Sequence, residues 1–397
     1  MAPAGNFECL QAAVQGGADS VYFGIGHLNM RSHSANNFAA EDLQEVCRIC
    51  RENGLRSYLT LNITLYDEDL GPMREALQAA RDAGVSAIIA SDIAAITEAR
   101  RIGLEVHIST QLSVSNSEAL RFYSQFADVV VLARELRLEQ VRAIRETIDR
   151  EGVCGPSGKP VQIEMFCHGA LCMAVSGKCY LSLHEYGTSA NRGSCYQVCR
   201  HPYEVTDLQT GSQLCIDNAY IMSPKDLCTI EFLDKMAASG VTVFKIEGRA
   251  RNANYVMTTV RCYRRAVDAV LSGTYTPELV RELTEEVKTV FHREFADGLY
   301  FGRPGAHQFA DSEDSLATTV KRHVGIVVDY FLKAGIAQVK VQDHALAAGD
   351  TIQIHGPTTG VLELTVSELR RDDERLESAG KGEWATFRAP RCRVGDK

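Results

Sequence analysis

The amino-acid sequence predicts an α/β fold: a (β/α)8, TIM-like barrel with a cysteine-rich insert, followed by a small C-terminal antiparallel β-barrel domain. Short β-rich segments alternate with amphipathic segments of helical period, as expected for parallel strands joined by crossover helices. The alternation occurs eight times over about 270 residues, the usual size of such a barrel. Neither GxGxxG nor GxxxxGK(S/T) occurs, so the sequence lacks the phosphate loops typical of open doubly wound sheets.

Predicted strands and helices follow each other in strict alternation. Segment 39–54 shows the helical pattern, with apolar residues on one face, acidic residues in the first turn, and Gly54 where a helix would end. Segment 70–84 has the same design and ends at Gly84. The eight predicted strands are 1–3, 20–24, 57–62, 87–91, 105–109, 128–132, 161–166 and 243–247.

A change of pattern in the last quarter of the chain predicts a second domain. Residues 1–272 are predicted to form the larger barrel, with the insert at 167–222, and a helical and irregular connector spans 273–316. Short β runs separated by Gly, Asp and Pro turns then predict a small β-barrel domain at 317–397. Its turns resemble those of translation-factor barrels that contact RNA, but the acidic run DDERLE favours a packing or dimerisation role.

Composition and charge restrict the class of protein. With 397 residues, 45% of them hydrophobic, the chain can bury one large core and a smaller one. Its apolar runs are far too short to span a membrane and no apolar leader opens it, so we expect a cytoplasmic protein without membrane contact. A formal net charge of -9 argues against a general nucleic-acid binder and restricts any RNA contact to a local basic surface.

One face of several predicted strands is unexpectedly polar. Side chains alternate along a strand, so one set points into the barrel. Buried charges are costly unless paired, and catalytic groups in this fold lie at the carboxyl ends of the strands, so the polar set predicts a site. An alternative for Lys245 and Glu247 is a structural ion pair that fills the barrel. The polar set comprises Tyr58, Thr60, Asn62, His107, Ser109, Gln111, Glu164, His168, Lys245, Glu247 and Arg249.

The cysteines point to metal or cluster binding. Thirteen is an odd number, and without a secretion signal a disulfide framework is disfavoured. More than seventy residues separate the last two predicted strands, and they contain the spacing C-x6-C-x15-C-x3-C. Four thiolates suffice for a 4Fe-4S cluster. Structural zinc, which usually takes short C-x2–4-C pairs, and unligated thiols are the alternatives. The four residues are Cys172, Cys179, Cys195 and Cys199.

The motifs around these cysteines resemble those of a known family. The segments IEMFCHGALCMAVSGKCYLS and NRGSCYQVCRHPY are similar to the signature of the collagenase-like peptidase family of unassigned catalytic type. GGADSVYFG, HISTQLSVSN, VVLARELRLEQVRAIR and the segment beginning YIMSPKDL follow in the order found in that family. The resemblance therefore covers most of residues 1–270, and within the family it is greatest to the TrhP-type proteins.

The resemblance implies an activity and a cofactor. TrhP-type proteins take part in forming 5-hydroxyuridine at the wobble position of tRNA, by a route that uses prephenate and an iron-sulfur cluster rather than molecular oxygen. Other relatives hydroxylate a cytidine of ribosomal RNA, take part in oxygen-independent ubiquinone synthesis, or were named as proteases. By this resemblance Cys172, Cys179, Cys195 and Cys199 hold the cluster, with Cys215 as the alternative fourth ligand.

The leading hypothesis is a tRNA uridine hydroxylase, or an essential component of that pathway, with tRNA as partner and prephenate as small-molecule co-substrate. Prephenate carries two carboxylates, for which Arg134 and Arg249 are candidate bidentate anchors. A collagenase-like peptidase is the alternative, although neither HExxH nor GxSxG is present, and a non-catalytic iron-sulfur assembly partner is a third. The remaining candidates are His107 and Gln111 for substrate binding, Glu164, His168, Lys245 and Glu247 for catalysis, and Arg192, Arg200 and Arg251 for RNA phosphates.

Overall fold

The computed structural model describes residues 1–33, 35–204, 206–211, 220, 222–303, 305, 308–312 and 314–397. Within them the main sheet contains ten strands, most of them parallel. The strands are β1 (Ala2–Pro3), β2 (Ser20–Phe23), β3 (Arg56–Leu61), β4 (Ala87–Ala90), β5 (Glu105–Ile108), β6 (Val129–Val131), β7 (Gln162–Gly169), β8 (Asp226–Cys228), β9 (Val241–Ile246) and β10 (Phe295–Ala296).

Helices connect these strands as the alternating pattern predicts. The predicted apolar face of α2 is buried, and α3 ends at Gly84, whose φ of 78° suits a residue without a Cβ atom. The helices are α1 (Phe7–Gln15), α2 (Leu43–Glu52), α3 (Leu70–Ala83), α4 (Ile93–Arg101), α5 (Ser117–Ser124), α6 (Leu138–Glu151), α7 (Leu181–Tyr186), α8 (Leu233–Ala238), α9 (Ala253–Ser272) and α10 (Pro277–Val287).

Strands β1 to β7 lie side by side in chain order, each parallel to the next. Strand β9 pairs in parallel with β7, so all eight predicted strands are present, with their ends shifted by a few residues. Strands β8 and β10 were not predicted; β8 is antiparallel to β7, and β10 is parallel to β8. Strand β8 lies between the cysteine insert and the last predicted strand, and β10 lies within the connector, so neither belongs to the alternation of strand and helix segments.

Backbone hydrogen bonds also connect β9 to the residue before β1. The amino group of Met1 donates to the carbonyl oxygen of Phe244 at 2.8 Å. The amide of Ile246 donates to the carbonyl oxygen of Met1 at 3.1 Å. The first and last strands of the parallel series are thus joined through Met1.

The two faces of the parallel strands carry different chemistry. Phe23, Leu59 and Ile88 are fully buried in the large core between sheet and helices, where each contributes about 1.5–3 kcal/mol relative to exposure. The opposite face carries larger polar and aromatic groups. Tyr22 and Tyr58 are register partners there, as are Ile89 and His107. This face leads to the candidate site.

The C-terminal residues form antiparallel sheets around a core of their own. One sheet has the order β11-β12-β19-β16-β17, and two further pairs of strands, β13-β18 and β14-β15, complete the set in the described residues. Short β strands therefore fill this segment, as the pattern of the sequence predicts. The strands are β11 (Gly325–Phe331), β12 (Ile336–Val341), β13 (Leu346–Ala347), β14 (Thr351–Gly356), β15 (Gly360–Thr365), β16 (Leu369–Arg371), β17 (Glu374–Leu376), β18 (Ser378–Ala379) and β19 (Trp384–Arg388).

Helix α1 attaches this C-terminal part to the parallel sheet. The Gln15 side chain donates to the carbonyl oxygen of Thr359 and accepts from the amide of Val361, both at 2.9 Å. His355 contacts the Glu8 carboxylate at 2.9 Å. No helix in the described part of the chain combines the length and the apolarity needed to cross a membrane.

Gly5 lies at a close approach between the start of the chain and the loop after β9. A Cβ atom there would lie 2.3 Å from the carbonyl oxygen of Arg249, which is backbone and cannot rotate away. We expect Gly5→Ala to lower the free energy of unfolding by about 1–3 kcal/mol, the usual effect of overpacking. Gly71→Ala in α3, where the new methyl group would meet nothing within 4 Å, is the control. Differential scanning calorimetry would show a lower Tm for the first variant only; an unchanged Tm would contradict the close contact.

Candidate functional site

A cavity of about 510 Å³ opens where the parallel strands end. Its lining residues follow the carboxyl ends of the strands: Asn62 after β3, Gln111 after β5, Arg134 after β6, and Glu247 and Arg249 after β9. The segment between β7 and β8 covers the opposite side and contributes the four candidate cysteines. The predicted convergence of strand ends and cysteine insert is therefore the geometry that the chain adopts.

Lys245 forms the floor of the cavity and is paired from below. Its Nζ donates to Oε1 of Glu164 at 2.7 Å, and both side chains are almost completely buried. Nδ1 of His107 lies 3.9 Å from Oε2 of Glu164, and neither of these two atoms has another hydrogen-bond partner. Nε2 of His107 contacts Oε1 of Glu105 at 3.1 Å. The interior of the sheet therefore contains a series of ionisable side chains that begins at the cavity floor: Lys245, Glu164, His107 and Glu105.

Glu247 is paired with an arginine that the sequence interpretation did not include. Arg31 donates from Nε and Nη2 to Oε1 of Glu247 at 3.2 and 2.9 Å, and the Tyr22 hydroxyl donates to Oε2 at 3.1 Å. Burial alone would raise the pKa of Glu247, but Arg31, Arg134 and Arg249 outweigh it and lower that pKa to about 2. The expected alternative of a Lys245–Glu247 ion pair is wrong, because each residue has a different partner.

Two arginines beside the floor form no ion pair with any carboxylate of the described residues. The Arg134 guanidinium stacks 3.9 Å from the ring centre of Phe166, donates only to the carbonyl oxygen of Ala170, and leaves its buried Nε without a partner. Arg249 is 4% exposed and donates to the Thr60 hydroxyl at 2.8 Å. Burial lowers the pKa of Arg249 to about 10, because the charged guanidinium is less stable in a buried position than in water.

The balance of charge in the cavity lining is strongly positive. Among the described lining residues, eight are lysine or arginine and one, Glu247, is a carboxylate. Apolar walls weaken solvent screening, so this surplus attracts anions. The cationic residues are Arg31, Arg134, Lys178, Arg200, Lys245, Arg249, Arg251 and Arg293.

The four candidate cysteines all line this cavity and are unpaired. Burial raises the pKa of Cys199, Arg200 opposes that shift, and Cys172, Cys195 and Cys179 add to it, so these thiols lie within electrostatic range of one another. In the described residues no three His, Cys, Asp or Glu side chains are placed to hold a single metal ion. Cys215, the alternative ligand, lies outside the described residues.

Glycines allow the insert to approach the strand ends. A Cβ atom on Gly177 would lie 2.6 Å from Oε1 of Gln111, and one on Gly193 would lie 2.6 Å from the carbonyl oxygen of Asn29. Both residues have φ values in the left-handed region, +73° and +92°. Left-handed turns at these two glycines therefore bring the insert against the strand ends.

The structure places the site residues predicted from the sequence at three different positions. Gln111, Arg134, Lys245, Glu247 and Arg249 line the cavity with the cysteines, whereas Glu164 and His107 lie beneath its floor. His168 is 1% exposed and is not among the lining residues; the Tyr263 hydroxyl contacts its Nδ1 at 3.3 Å, and burial lowers its pKa to about 4.

Sequence reasoning missed Arg31 and Arg293. Arg31 follows β2 in a polar loop, and Arg293 precedes β10, which was not predicted. The Arg293 guanidinium donates to Oδ1 of Asp226 at 3.0 Å, and both side chains are buried. Only the position of Arg31 after a strand could have indicated a site residue. Every strand of a parallel sheet is followed by such a position, so it does not single out Arg31.

Comparison with known proteins now identifies the family. The model of peptidase family U32 matches residues 5–309. The chain belongs to this family. A collagenase of Porphyromonas gingivalis is 55% identical to this U32 protein, over 96% of this chain and 92% of its own length. A tRNA hydroxylation protein of Bacillus subtilis is 34% identical, over 94% of this chain and 87% of its own length. A 23S rRNA 5-hydroxycytidine synthase of Escherichia coli is 32% identical, over 83% of this chain and 49% of its own length.

The Lys245–Glu164 pair generates a stability prediction. Removing one partner of a buried ion pair leaves an uncompensated charge and typically costs about 3–5 kcal/mol, whereas replacing both with apolar groups can be neutral. We therefore expect Glu164→Leu alone to lower the midpoint of urea unfolding strongly, and the double variant Glu164→Leu, Lys245→Met to regain most of the loss. Glu45→Gln, which removes an exposed pair with Arg48 on α2, should leave the midpoint unchanged. Equal losses in the single and double variants would show that the pair is not the source of stability.

Proposed function

We propose that this U32 protein hydroxylates the wobble uridine of tRNA at carbon 5, with a 4Fe-4S cluster at the mouth of the parallel sheet and prephenate as co-substrate. The observation that carries the proposal is a single cavity that combines four cysteines with eight cationic side chains and one carboxylate. RNA and prephenate are both anionic, and a cluster held by four thiolates adds further negative charge. The names of the Bacillus and Escherichia relatives support nucleic-acid hydroxylation as the reaction class.

The proposal includes a closed (β/α)8 barrel as the scaffold. The hydrogen bonds that Met1 donates to Phe244 and accepts from Ile246 support closure, because they join the two ends of the parallel series. Active sites of such barrels lie at the carboxyl ends of the strands, which is where the cavity opens. A cytoplasmic location, where tRNA is found, belongs to the same proposal.

The donor set fits an iron-sulfur cluster better than a single ion. A structural zinc site places four sulfurs about 2.3 Å from one point. The four cysteines instead line a cavity, and the described residues hold no compact group for one metal ion. Cys172, Cys179, Cys195 and Cys199 would hold the cluster. When bound, it would supply electron transfer to the reaction.

The residues at the floor fit a small dicarboxylate. Arg134 and Arg249 both carry charge without a carboxylate partner, and a guanidinium binds a carboxylate through two parallel hydrogen bonds. The stacking of Arg134 on Phe166 holds that guanidinium in one plane. Lys245 is fixed by Glu164, lines the same cavity and is 5% exposed, so it is placed to hold a proton at the floor.

The cluster proposal predicts a metal content that single cysteines control. Protein purified without oxygen should contain about four iron and four sulfide per chain. Cys199→Ser should lose most of both, whereas Cys154→Ser, which alters an exposed cysteine that does not line the cavity, should retain them. If Cys215→Ser empties the site and Cys199→Ser does not, Cys215 is the fourth ligand. Colourless, iron-free wild-type protein would reject the cluster.

The activity proposal predicts a change in tRNA. Deleting the gene, in a strain that also lacks related hydroxylation genes, should abolish 5-hydroxyuridine at wobble positions in mass spectra of tRNA nucleosides. The wild-type gene and a Cys154→Ser variant should restore the modification, and an Arg249→Gln variant should restore about tenfold less at limiting prephenate, because one charge-assisted anchor is lost. Full hydroxylation in the deletion strain would refute the proposal.

A peptidase is the second candidate, because the Porphyromonas relative at 55% identity is named a collagenase. The sharpest comparison uses one preparation for both substrates. Cleavage of gelatin by purified protein that persists after the cluster is removed, and that disappears on changing Glu247, would favour the peptidase. Modified tRNA without peptide cleavage would favour the hydroxylase. A non-catalytic assembly partner would show neither activity and would copurify with the protein it serves.

A further inference from the structure

The sequence predicts Arg192, Arg200 and Arg251 as contacts for RNA phosphates. In the structure they differ in whether their N–H donors are already bonded within the protein. Arg192 is already paired, because it donates to Oδ2 of Asp69 at 2.6 Å and stacks 3.9 Å from the ring centre of Tyr66. Arg200 is 5% exposed, and its donors are taken by the Ser223 hydroxyl and by the carbonyl oxygens of Pro224 and Leu171. Both side chains are therefore committed within the protein.

Arg251 is the member of this group without a polar partner. Its guanidinium lies 3.4 Å from the ring centre of Phe291, which holds the planar group in a fixed orientation. In the described part of the chain this guanidinium has neither an ion pair nor a hydrogen bond, and it lines the cavity. Its N–H donors are free to bind an anion there.

Among the described residues, the carboxylates that act on Arg251 are already paired with other arginines. Asp226 is already bound by Arg293, and Glu247 is already bound by Arg31. Helix α9 begins two residues after Arg251, so the positive end of a twenty-residue helix adds to the local potential. Burial lowers the pKa of Arg251, with Arg293 acting in the same direction, so an anion bound here would relieve an unfavourable charge.

The position of Arg251 favours a phosphate over the carboxylates of a small co-substrate. Arg249 is nearly buried at the floor, whereas Arg251 lies five residues beyond the end of β9 and is partly exposed. A phosphodiester group continues into the chain on both sides, so it cannot enter a closed floor and needs a partly open wall. Arginine binds two phosphate oxygens through parallel N–H donors.

We propose that Arg251 is a phosphodiester-binding residue that holds the RNA backbone beside the nucleotide entering the cavity. The inference rests on the proposed function, because it takes RNA as the substrate. It adds a subsite: Arg134 and Arg249 face the small dicarboxylate at the floor, and Arg251 faces the nucleic-acid strand at the wall. The interaction is with the backbone, so it does not depend on base sequence.

The test is the salt dependence of RNA binding by the full-length protein. A fluorescent, unmodified anticodon stem-loop is titrated at several NaCl concentrations and followed by anisotropy. We expect Arg251→Gln to bind about tenfold more weakly at low salt, and the slope of log Kd against log salt to fall by about 0.7, the value for one phosphate contact on a single strand. Arg251→Lys should keep the slope while binding more weakly, because charge stays and bidentate geometry is lost.

Arg261→Gln provides the matched control, since it removes a paired arginine of α9 that does not line the cavity. Its slope should equal that of the wild type. If Arg251→Gln does not fold, Arg251→Met serves as the neutral variant instead, because its side chain keeps the packing on Phe291. An unchanged slope in the neutral variant would overturn the inference. If that unchanged slope comes with a raised KM for prephenate, Arg251 binds the carboxylates of prephenate instead. Wild-type protein that binds no RNA would instead refute the proposed function itself.

Discussion

The buried ion pair between Lys245 and Glu164 is the constraint on which the cavity depends. The two residues lie on neighbouring strands, where Phe166 of β7 pairs with Lys245 of β9. Neither charge can be buried without the other, so the pair favours the register in which β7 and β9 lie side by side. The cysteine insert leaves the sheet after β7 and returns at β8, where His168 and Gly169 at the end of β7 pair antiparallel with Cys228 and Leu227. Its two ends are therefore held close together, and the insert folds back over the strand ends.

The cations around the cavity fall into two groups with different physical roles. Lys245, Arg31 and Arg293 each have a carboxylate partner within the protein, so they organise the walls. Arg134, Arg249 and Arg251 have none within the part of the chain that the structure describes, so their charges are available to a ligand. Two of these three are held flat against an aromatic ring, which limits the conformational entropy lost on binding. Such preorganised donors are typical of a site for anions.

The sequence predicted the strands and helices of the fold better than it predicted the ion-pair partners of the site residues. The alternation of periods located the eight strands of the parallel series, β1–β7 and β9, because regular elements bury a continuous apolar face, as Phe23 and Leu59 do. It also placed Lys245 and Glu247 at one strand end. It could not identify their partners, since Arg31 comes from a loop with no periodic pattern and Glu164 pairs across strands rather than along one. Asp226 lies in β8 and Arg293 precedes β10, two strands outside the alternation from which the other strands were predicted.

Relatives named for proteolysis and for RNA hydroxylation share this family, and the electrostatics of Glu247 bear on the choice between those chemistries. Glu247 is the carboxylate of the described cavity lining, and hydrolysis through a carboxylate base would require it to accept a proton from water. Both of its oxygens are already engaged, by Arg31 and by Tyr22, and its pKa is lowered to about 2. A group so strongly stabilised as an anion is a weak base at neutral pH. Its environment instead suits the fixed negative charge that orients arginines around an anionic substrate.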